Sequence, residues 1–359
     1  MLRKHLSLLK CLDCGGDLSL HGVEERGDEV VSGYIACSAC TSVYPVHNKV
    51  PVLFARDVLW HFLTQEEKDF MERLGFAERM RRDSSPLDAS VARMFALYEF
   101  AFPMYVRNKE ALDAYHRSKQ QFLNFNLVSD RDLAGKVLVA GGGFGRETSI
   151  IAENYRPELL VVVDLAMGVF DLAAYHDFPP DIFFARADLS AVTFAVEFDT
   201  VISDHVMQHV YDMDKALRNF HSLLRSGGRL AINHYSRENN GFMVHCIEPL
   251  KKVLHIVPVK TLWYLSLLPA LLLLLVIKCI YVPADFIGIK LLPLTSTMLY
   301  WNKFKFYLIW VTAFDLLATP ITYFRSRDEL GRMVKERGFQ LSDVRGHAGT
   351  FWSYAGIKE

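Results

Sequence analysis

The sequence predicts an α/β protein: a mainly parallel sheet wound by helices, with a small cysteine-bearing module ahead of it and an apolar helical insertion inside it. Three observations carry this. Short apolar runs alternate with helical patterns after Lys136. Two CxxC pairs stand within the first 40 residues. A 16-residue uncharged run, residues 262–277, interrupts the alternation late in the chain.

Bulk properties set the frame. A chain of 359 residues has room for one full α/β domain and a satellite, at roughly 100–200 residues per domain. With 51% hydrophobic and 23% charged residues it can bury a sizeable core. A net charge of −1 gives no overall attraction to nucleic acid. Four of the six cysteines lie in CxxC pairs, which reads as metal rather than disulfides and hence a reducing, cytoplasmic setting. The opening MLRKHLSLLKCLDC is basic, but its apolar run is too short for a signal peptide.

The elements follow in order. Residues 1–55 are β- and turn-rich. Residues 56–134 read as a helical cap, in which TQEE, with Thr64 and Glu67, is a capping box opening a helix. From residue 135 the runs KVLVAGG, LLVVVDL, DIFFARADL, DTVISD and RLAINHY alternate with helices, among them DMDKALRNFHSLLR, stopped by Ser226-Gly227-Gly228. Apolar strands alternating with helices mean a parallel sheet covered on both faces. Residues 236–325 form the insertion, and residues 326–359 supply a last helix, SRDELGRMVKERG, and two strands.

Cys11, Cys14, Cys37 and Cys40 give C-x2-C-x22-C-x2-C. Four thiolates so spaced suit a closed tetrahedral Zn2+ site of structural rather than catalytic role. In VLVAGGGFGRE, Gly141, Gly143 and Gly145 form a turn between the first strand and a helix, where a ligand can approach the backbone. Asp164 ends the second strand, placed to accept from ribose hydroxyls. Asp188 ends the third, within RADLS, placed to accept from an adenine amino group. Asp204 closes the fourth. Three acids at successive carboxyl ends beside a glycine loop specify a ligand crevice.

With these residues in place, the stretch GKVLVAGGGFGRE…VVVDLA…ARADLS…FDTVISDHVMQHV…LLRSGGRLAI resembles the class I S-adenosylmethionine-dependent methyltransferase core, over residues 135–235. The resemblance implies a Rossmann-like sheet, parallel with an antiparallel last strand. It implies S-adenosylmethionine as cofactor: Gly141, Gly143 and Gly145 against its methionine part, Asp164 on the ribose, Asp188 with Leu189 framing the adenine. Val139 departs from the pattern, since relatives often carry an acid there, and Gly142 stands where Cys or another small residue is common. LLKCLDCGGDLSL…YIACSACTSVYPVHNKVPVLF, residues 8–54, resembles the zinc-ribbon proteins that activate methyltransferases as separate subunits. DLLATPITYFRSRDELGRMVKERGF resembles the tail of methyltransferases from surface-polysaccharide and lipid-linked pathways, with Asp315, Pro320 and Tyr323 as matching positions.

The insertion departs from the chain's average. Between residues 241 and 321 there are seven lysines, no arginine and three acids, a local charge of +4 (7 minus 3) in a chain of net −1. The uncharged run falls short of the ~20 residues of a spanning helix. The readings are a buried lid, a homodimer interface, a surface dipping into lipid with Lys251, Lys252, Lys260, Lys278 and Lys290 near anionic headgroups, or a spanning segment, which would strand the last two strands across the bilayer. The surface dipping into lipid would place the protein peripherally on the inner face of a membrane.

Methyl transfer to an acceptor that must lose a proton needs a base. The candidates at strand ends are His209, expected to open the helix after the fourth strand, then His234, His205 and Tyr235. The expected function is O- or C-methylation of a small or lipid-linked acceptor (glycan, isoprenoid or secondary metabolite). The alternatives are an RNA methyltransferase that clamps RNA with its ribbon, and a non-catalytic cofactor-binding or membrane scaffold protein.

Overall fold

A computed structural model describes residues 1–106, 117–175, 178–179, 181–289, 291–292, 294–347 and 350–359. Eleven strands form one continuous sheet. They are β1 (Leu18–Arg26), β2 (Glu29–Cys37), β3 (Val43–His47), β4 (Val50–Leu53), β5 (Lys136–Ala140), β6 (Leu159–Asp164), β7 (Phe183–Ala187), β8 (Phe198–Ser203), β9 (Leu224–Tyr235), β10 (Phe339–His347) and β11 (Phe351–Lys358). Their order is β1-β2-β3-β4-β7-β6-β5-β8-β9-β11-β10. From β4 to β9 neighbours run parallel, and β11 is antiparallel to both β9 and β10. The expected Rossmann-like methyltransferase sheet with its antiparallel last strand is therefore present.

The central strands β5, β6 and β8 are buried along almost their whole length, because helices cover both faces. Parallel direction brings the ends of β5 to β9 to one edge, where the acids and histidines of the crevice stand. The helix Met213–Leu223 ends earlier than expected, and Ser226-Gly227-Gly228 lies inside the irregular start of β9 rather than in a separate loop.

The boundary expected at residue 55 does not divide the sheet. Strand β4 pairs in parallel with β7, Val52 opposite Arg186 and Leu53 opposite Ala187. Val30, Ile35, Tyr44 and Val46 share one buried apolar cluster with Val137, Val162 and Val201 of the central strands. The ribbon thus gains from the main domain the core that a module of its size lacks.

The helical cap holds this junction. Helices Arg56–Phe62, Gln65–Arg73, Ala77–Asp83 and Lys119–Asn126 occur as the pattern indicated. The Thr64–Glu67 capping box forms, with Glu67 Oε2 2.7 Å from the Thr64 amide. The same oxygen accepts from Arg186 Nη1 at 3.2 Å, and both side chains have no exposed surface. Arg186 also donates to the carbonyls of Phe62 and Leu165, and rings of Phe54, Phe95 and Phe170 surround it.

The insertion is longer in structure than in composition. Residues Val259–Phe286 make one 28-residue helix, long enough to cross a membrane. The 16-residue uncharged run fell short because it stops at Lys278, whereas the helix continues through that residue, and Pro269 within it does not break the helix. That proline sits in the first turn after Ser266, where its missing N–H costs little. The chain returns through Thr295–Trp301 and Phe306–Ala318, and Leu262 and Trp263 pack on Val311 and Phe314. Lys251 is buried, its ammonium bonded to Glu248 and Thr322 at 2.6 and 2.8 Å, so it is not placed for headgroups. Lys290 lies outside the described residues.

Replacing Glu67 with Ala should destabilise the protein by about 3–5 kcal/mol, since Arg186 is left buried and uncompensated. Urea unfolding checks this. The double change Glu67→Leu, Arg186→Met should recover part of the loss, because no unpaired charge then remains.

Candidate active site and metal centre

The glycine loop closes tightly on the sheet. Gly141 has φ +92°, and a Cβ there would come 2.1 Å from a methyl of Val206. No other residue fits that backbone and that space. The Gly143 amide donates to Asp164 Oδ2 at 2.7 Å, and the Ala166 amide to Asp164 Oδ1 at 2.7 Å. Asp164 thus braces the loop, and each oxygen keeps a lone pair for a ribose hydroxyl. Burial pushes its carboxyl above the usual range, against the amide donors of Ala166 and Gly143.

Asp188 accepts from the amide and hydroxyl of Ser190 at 2.8 and 2.9 Å, and Leu189 is buried beside it. Gly141, Gly143, Asp164, Asp188, Leu189, Asp204, His205, His209 and Tyr235 all line one cleft of about 1710 Å3. Gly145 lies just beyond, at the start of helix Arg146–Asn154. The cleft continues beneath the insertion to Leu273, Met298, Trp301 and Asp315. It exceeds the ~300–1,000 Å3 of a site for a single small ligand.

Asp204 is the centre of a charge cluster rather than an open acceptor. Its side chain is fully buried and pairs with Arg117, with Arg146 at 3.1 Å, and with Nδ1 of His205. Asn126 adds a hydrogen bond at 3.4 Å. Burial alone would raise its carboxyl, but Arg117, Arg146 and His205 outweigh that and hold it well below the carboxylate range. The sequence reading missed Arg117, Arg146 and Glu147. Arg146 and Glu147 follow the glycine loop directly, which was their only signal; Arg117 is 87 positions from Asp204 and had none. Glu147 is buried in the cleft wall and bonded to Arg146 at 2.6 Å, while Val139, which replaces the usual acid, is core. Burial pushes the Glu147 carboxyl up to about 7.

The four base candidates separate. His209 Nδ1 lies 2.9 Å from the carbonyl of Ile321, so Nδ1 carries the proton and Nε2 is the basic nitrogen. His209 closes a short 3-10 turn, Met207–His209, instead of opening the next helix. Burial lowers its pKa below the ordinary histidine value, with Asp315 opposing. Tyr235 stands edge-on to His209, ring centroids 5.7 Å apart. His205 lies in the left-handed region at φ +61°, a strained state for a residue with a side chain. It is held by Asp204 and stacked on Phe125, over whose ring the Arg117 guanidinium also lies. His234 is fully buried, donates to the Tyr235 carbonyl, and is not part of the cleft wall. Burial lowers its pKa to about 4. It cannot reach an acceptor, because β9 and β11 enclose it opposite Trp352.

Residues 138–232, from β5 to β9, match the family model of a methyltransferase domain. Over those residues the chain carries a methyltransferase domain. No curated protein matches the sequence. Among solved structures, the chain is similar to the N-methyltransferase NodS from Bradyrhizobium japonicum WM9 (12% identity, 73% of this chain and 98% of that one, TM-score 0.41). It is also similar to the 1,6-didemethyltoxoflavin-N1-methyltransferase of Burkholderia thailandensis (14% identity, 77% and 92%, TM-score 0.42). A third is the magnesium protoporphyrin IX methyltransferase of Synechocystis PCC 6803 (13% identity, 82% and 98%, TM-score 0.38). Likeness at this level says nothing of substrate.

At the other end of the sheet, the four cysteine sulfurs lie within 4.8 Å of one another. Cys11 and Cys40 are 3.6 Å apart, and Cys14 and Cys37 3.5 Å. Tetrahedral Zn–S bonds of roughly 2.3 Å require similar separations, so the donor set fits Zn2+. Asp13, between the first two cysteines, accepts from Ser42, from Tyr44 and from the Arg56 amide, tying the knuckle to the helical cap.

Two outcomes are expected. Asp164→Ala should weaken S-adenosylmethionine binding at least about tenfold by calorimetry, through loss of a buried acceptor worth ~1.5–3 kcal/mol. The purified protein should hold about one zinc per chain, and elemental analysis of a Cys11→Ser, Cys37→Ser variant should find it gone.

Proposed function

We propose that this methyltransferase alkylates an oxygen or acidic carbon of a lipid-linked acceptor, with His209 as the base. One observation carries the reading: a single cleft joins the cofactor residues, His209 and the apolar underside of the insertion. When bound, S-adenosylmethionine supplies an electrophilic methyl group on a sulfonium. The glycine loop, Asp164 and Asp188 orient the cofactor at the ends of β5, β6 and β7. His209 is placed to take the acceptor proton on Nε2. The bound cofactor would give up its methyl with the sulfur keeping the electron pair, and the charge would balance with the acceptor proton held on His209. Leu273, Leu294, Met298 and Trp301 make the acceptor half apolar, which suits a hydrocarbon tail better than a small polar metabolite. Zn2+ held by Cys11, Cys14, Cys37 and Cys40 would clip the N-terminal knuckle to the turn between β2 and β3.

The ribbon does not favour RNA. Its edge strand β1 carries Glu24 and Glu25 against one Arg26, the wrong sign for a phosphate backbone.

The acceptor is found by mass spectrometry of lipid and glycolipid extracts from a deletion strain, where one species should lack a CH2 unit. Methyl-labelled S-adenosylmethionine with that extract should then return label to lipid. His209→Ala should lower kcat about 10²–10⁴-fold. Because only the neutral imidazole accepts a proton, wild-type activity should fall as pH drops through the lowered His209 pKa. That acid limb should be missing from the variant. An unchanged limb would move the base to His205.

A further inference from the structure

The apolar insertion has two sides. Toward the protein, Leu262, Trp263, Ala270 and Ile277 are buried against the returning helix, and Leu273 forms part of the cleft roof. The opposite side of the same helix presents Tyr264, Leu268, Leu272, Leu275, Ile280 and Phe286, all between 49% and 90% exposed. Tyr264, Leu268, Leu272 and Leu275 are spaced by three or four residues, the period of one helix face. A helix on the surface of a soluble domain turns charged residues outward. Here the outward face is the apolar one, along 28 residues or about 42 Å at 1.5 Å each. Beyond it the turn into the returning helix adds Ile287 and Leu291, the latter 96% exposed.

Charge narrows what can cover this face. The sequence holds no acid between Glu248 and Asp285, and Glu248 is occupied by Lys251. Lys252, Lys260 and Lys278 are exposed along that stretch. Residues 241–321 carry +4, so the rest of the chain carries −5 (−1 minus 4). A second copy would set one cationic insertion against another. A bilayer with anionic headgroups meets both the apolar face and the lysines.

The geometry points to the insertion as a monotopic docking surface for an anionic lipid bilayer. The long helix lies in the plane of the interface, its outer face among the acyl chains of one leaflet. It does not span, because its inner face is packed on its own domain and roofs the cleft. Docking surface and acceptor chamber are then the two sides of one helical layer, so a lipid-linked acceptor has a short path from leaflet to cleft. The inference uses the methyltransferase reading only for that last step and stands on the exposed face and its charge.

Vesicle flotation of the full-length protein tests it, with phosphatidylcholine vesicles containing about 30% phosphatidylglycerol. The wild type should float at low salt, and float less as salt rises or phosphatidylglycerol is left out. The triple change Leu268→Glu, Leu272→Glu, Leu275→Glu should lower the bound fraction at least about tenfold. Calorimetric binding of S-adenosylmethionine, retained in that variant, shows that it is folded and reports the cofactor site separately. Wild type that stays in the bottom fraction at low salt overturns the proposal, as does triple-variant binding equal to wild type. Light scattering that finds a lipid-free dimer, dissolved to monomer by the triple change and not floating, assigns the face to a second copy instead.

Discussion

A guanidinium with no exposed surface is the tie on which three parts of the fold depend. Arg186 sits in β7, pairs with Glu67 of the helical cap, and stands opposite Val52 of the ribbon's last strand. A buried charge is costly to desolvate and stays only where a counter-charge and further hydrogen bonds are fixed around it. Glu67 supplies the charge while also capping its own helix, and two carbonyls take the remaining donors. Aromatic faces fill the rest of the surroundings. Any shift of ribbon or cap away from β7 would uncover this cluster. The register therefore holds at the strand whose next residue, Asp188, enters the cofactor cleft.

Within the core the constraint is directional. Parallel strands bring their carboxyl ends to one edge, and the chain leaves each strand there through a turn that carries a polar side chain. Asp164 and Asp188 spend part of their hydrogen-bonding capacity on the turns that follow them. Asp204 spends all of its visible capacity on a charge cluster. That cluster keeps a carboxylate ionised where burial alone would neutralise it. It also fixes His205 in a backbone state that an isolated histidine would avoid. The strain is local to the crevice, where the surrounding ion pairs over-determine the conformation.

The insertion shows why an apolar run has no fixed meaning in sequence. Residues 262–277 satisfy the same hydrophobic requirement whether packed inside a protein, against a copy, or in lipid. What separates these cases is which face is already occupied. In this chain the returning helix and the cleft occupy one face and leave the other apolar and outward.

Much was legible in the sequence because it rests on local chemistry. The alternation of strands and helices, the Thr64–Glu67 cap, the positive-φ glycines and the cysteine spacing are each set by neighbours a few residues away. So were Asp164 and Asp188, since strand ends and turns are local features. The rest required distance. Sequence could not show that β4 would join β7, that Arg117 would reach Asp204 across 87 positions, or that His234 would point into the sheet while His209 faced the cleft. Long-range packing decides those cases, and within β9 alternation adds to it: His234 and Tyr235 point to opposite faces and only Tyr235 reaches the cleft. Sequence determined the elements and the kind of chemistry; tertiary structure decided which side chains share the cleft and which face of the insertion is left open.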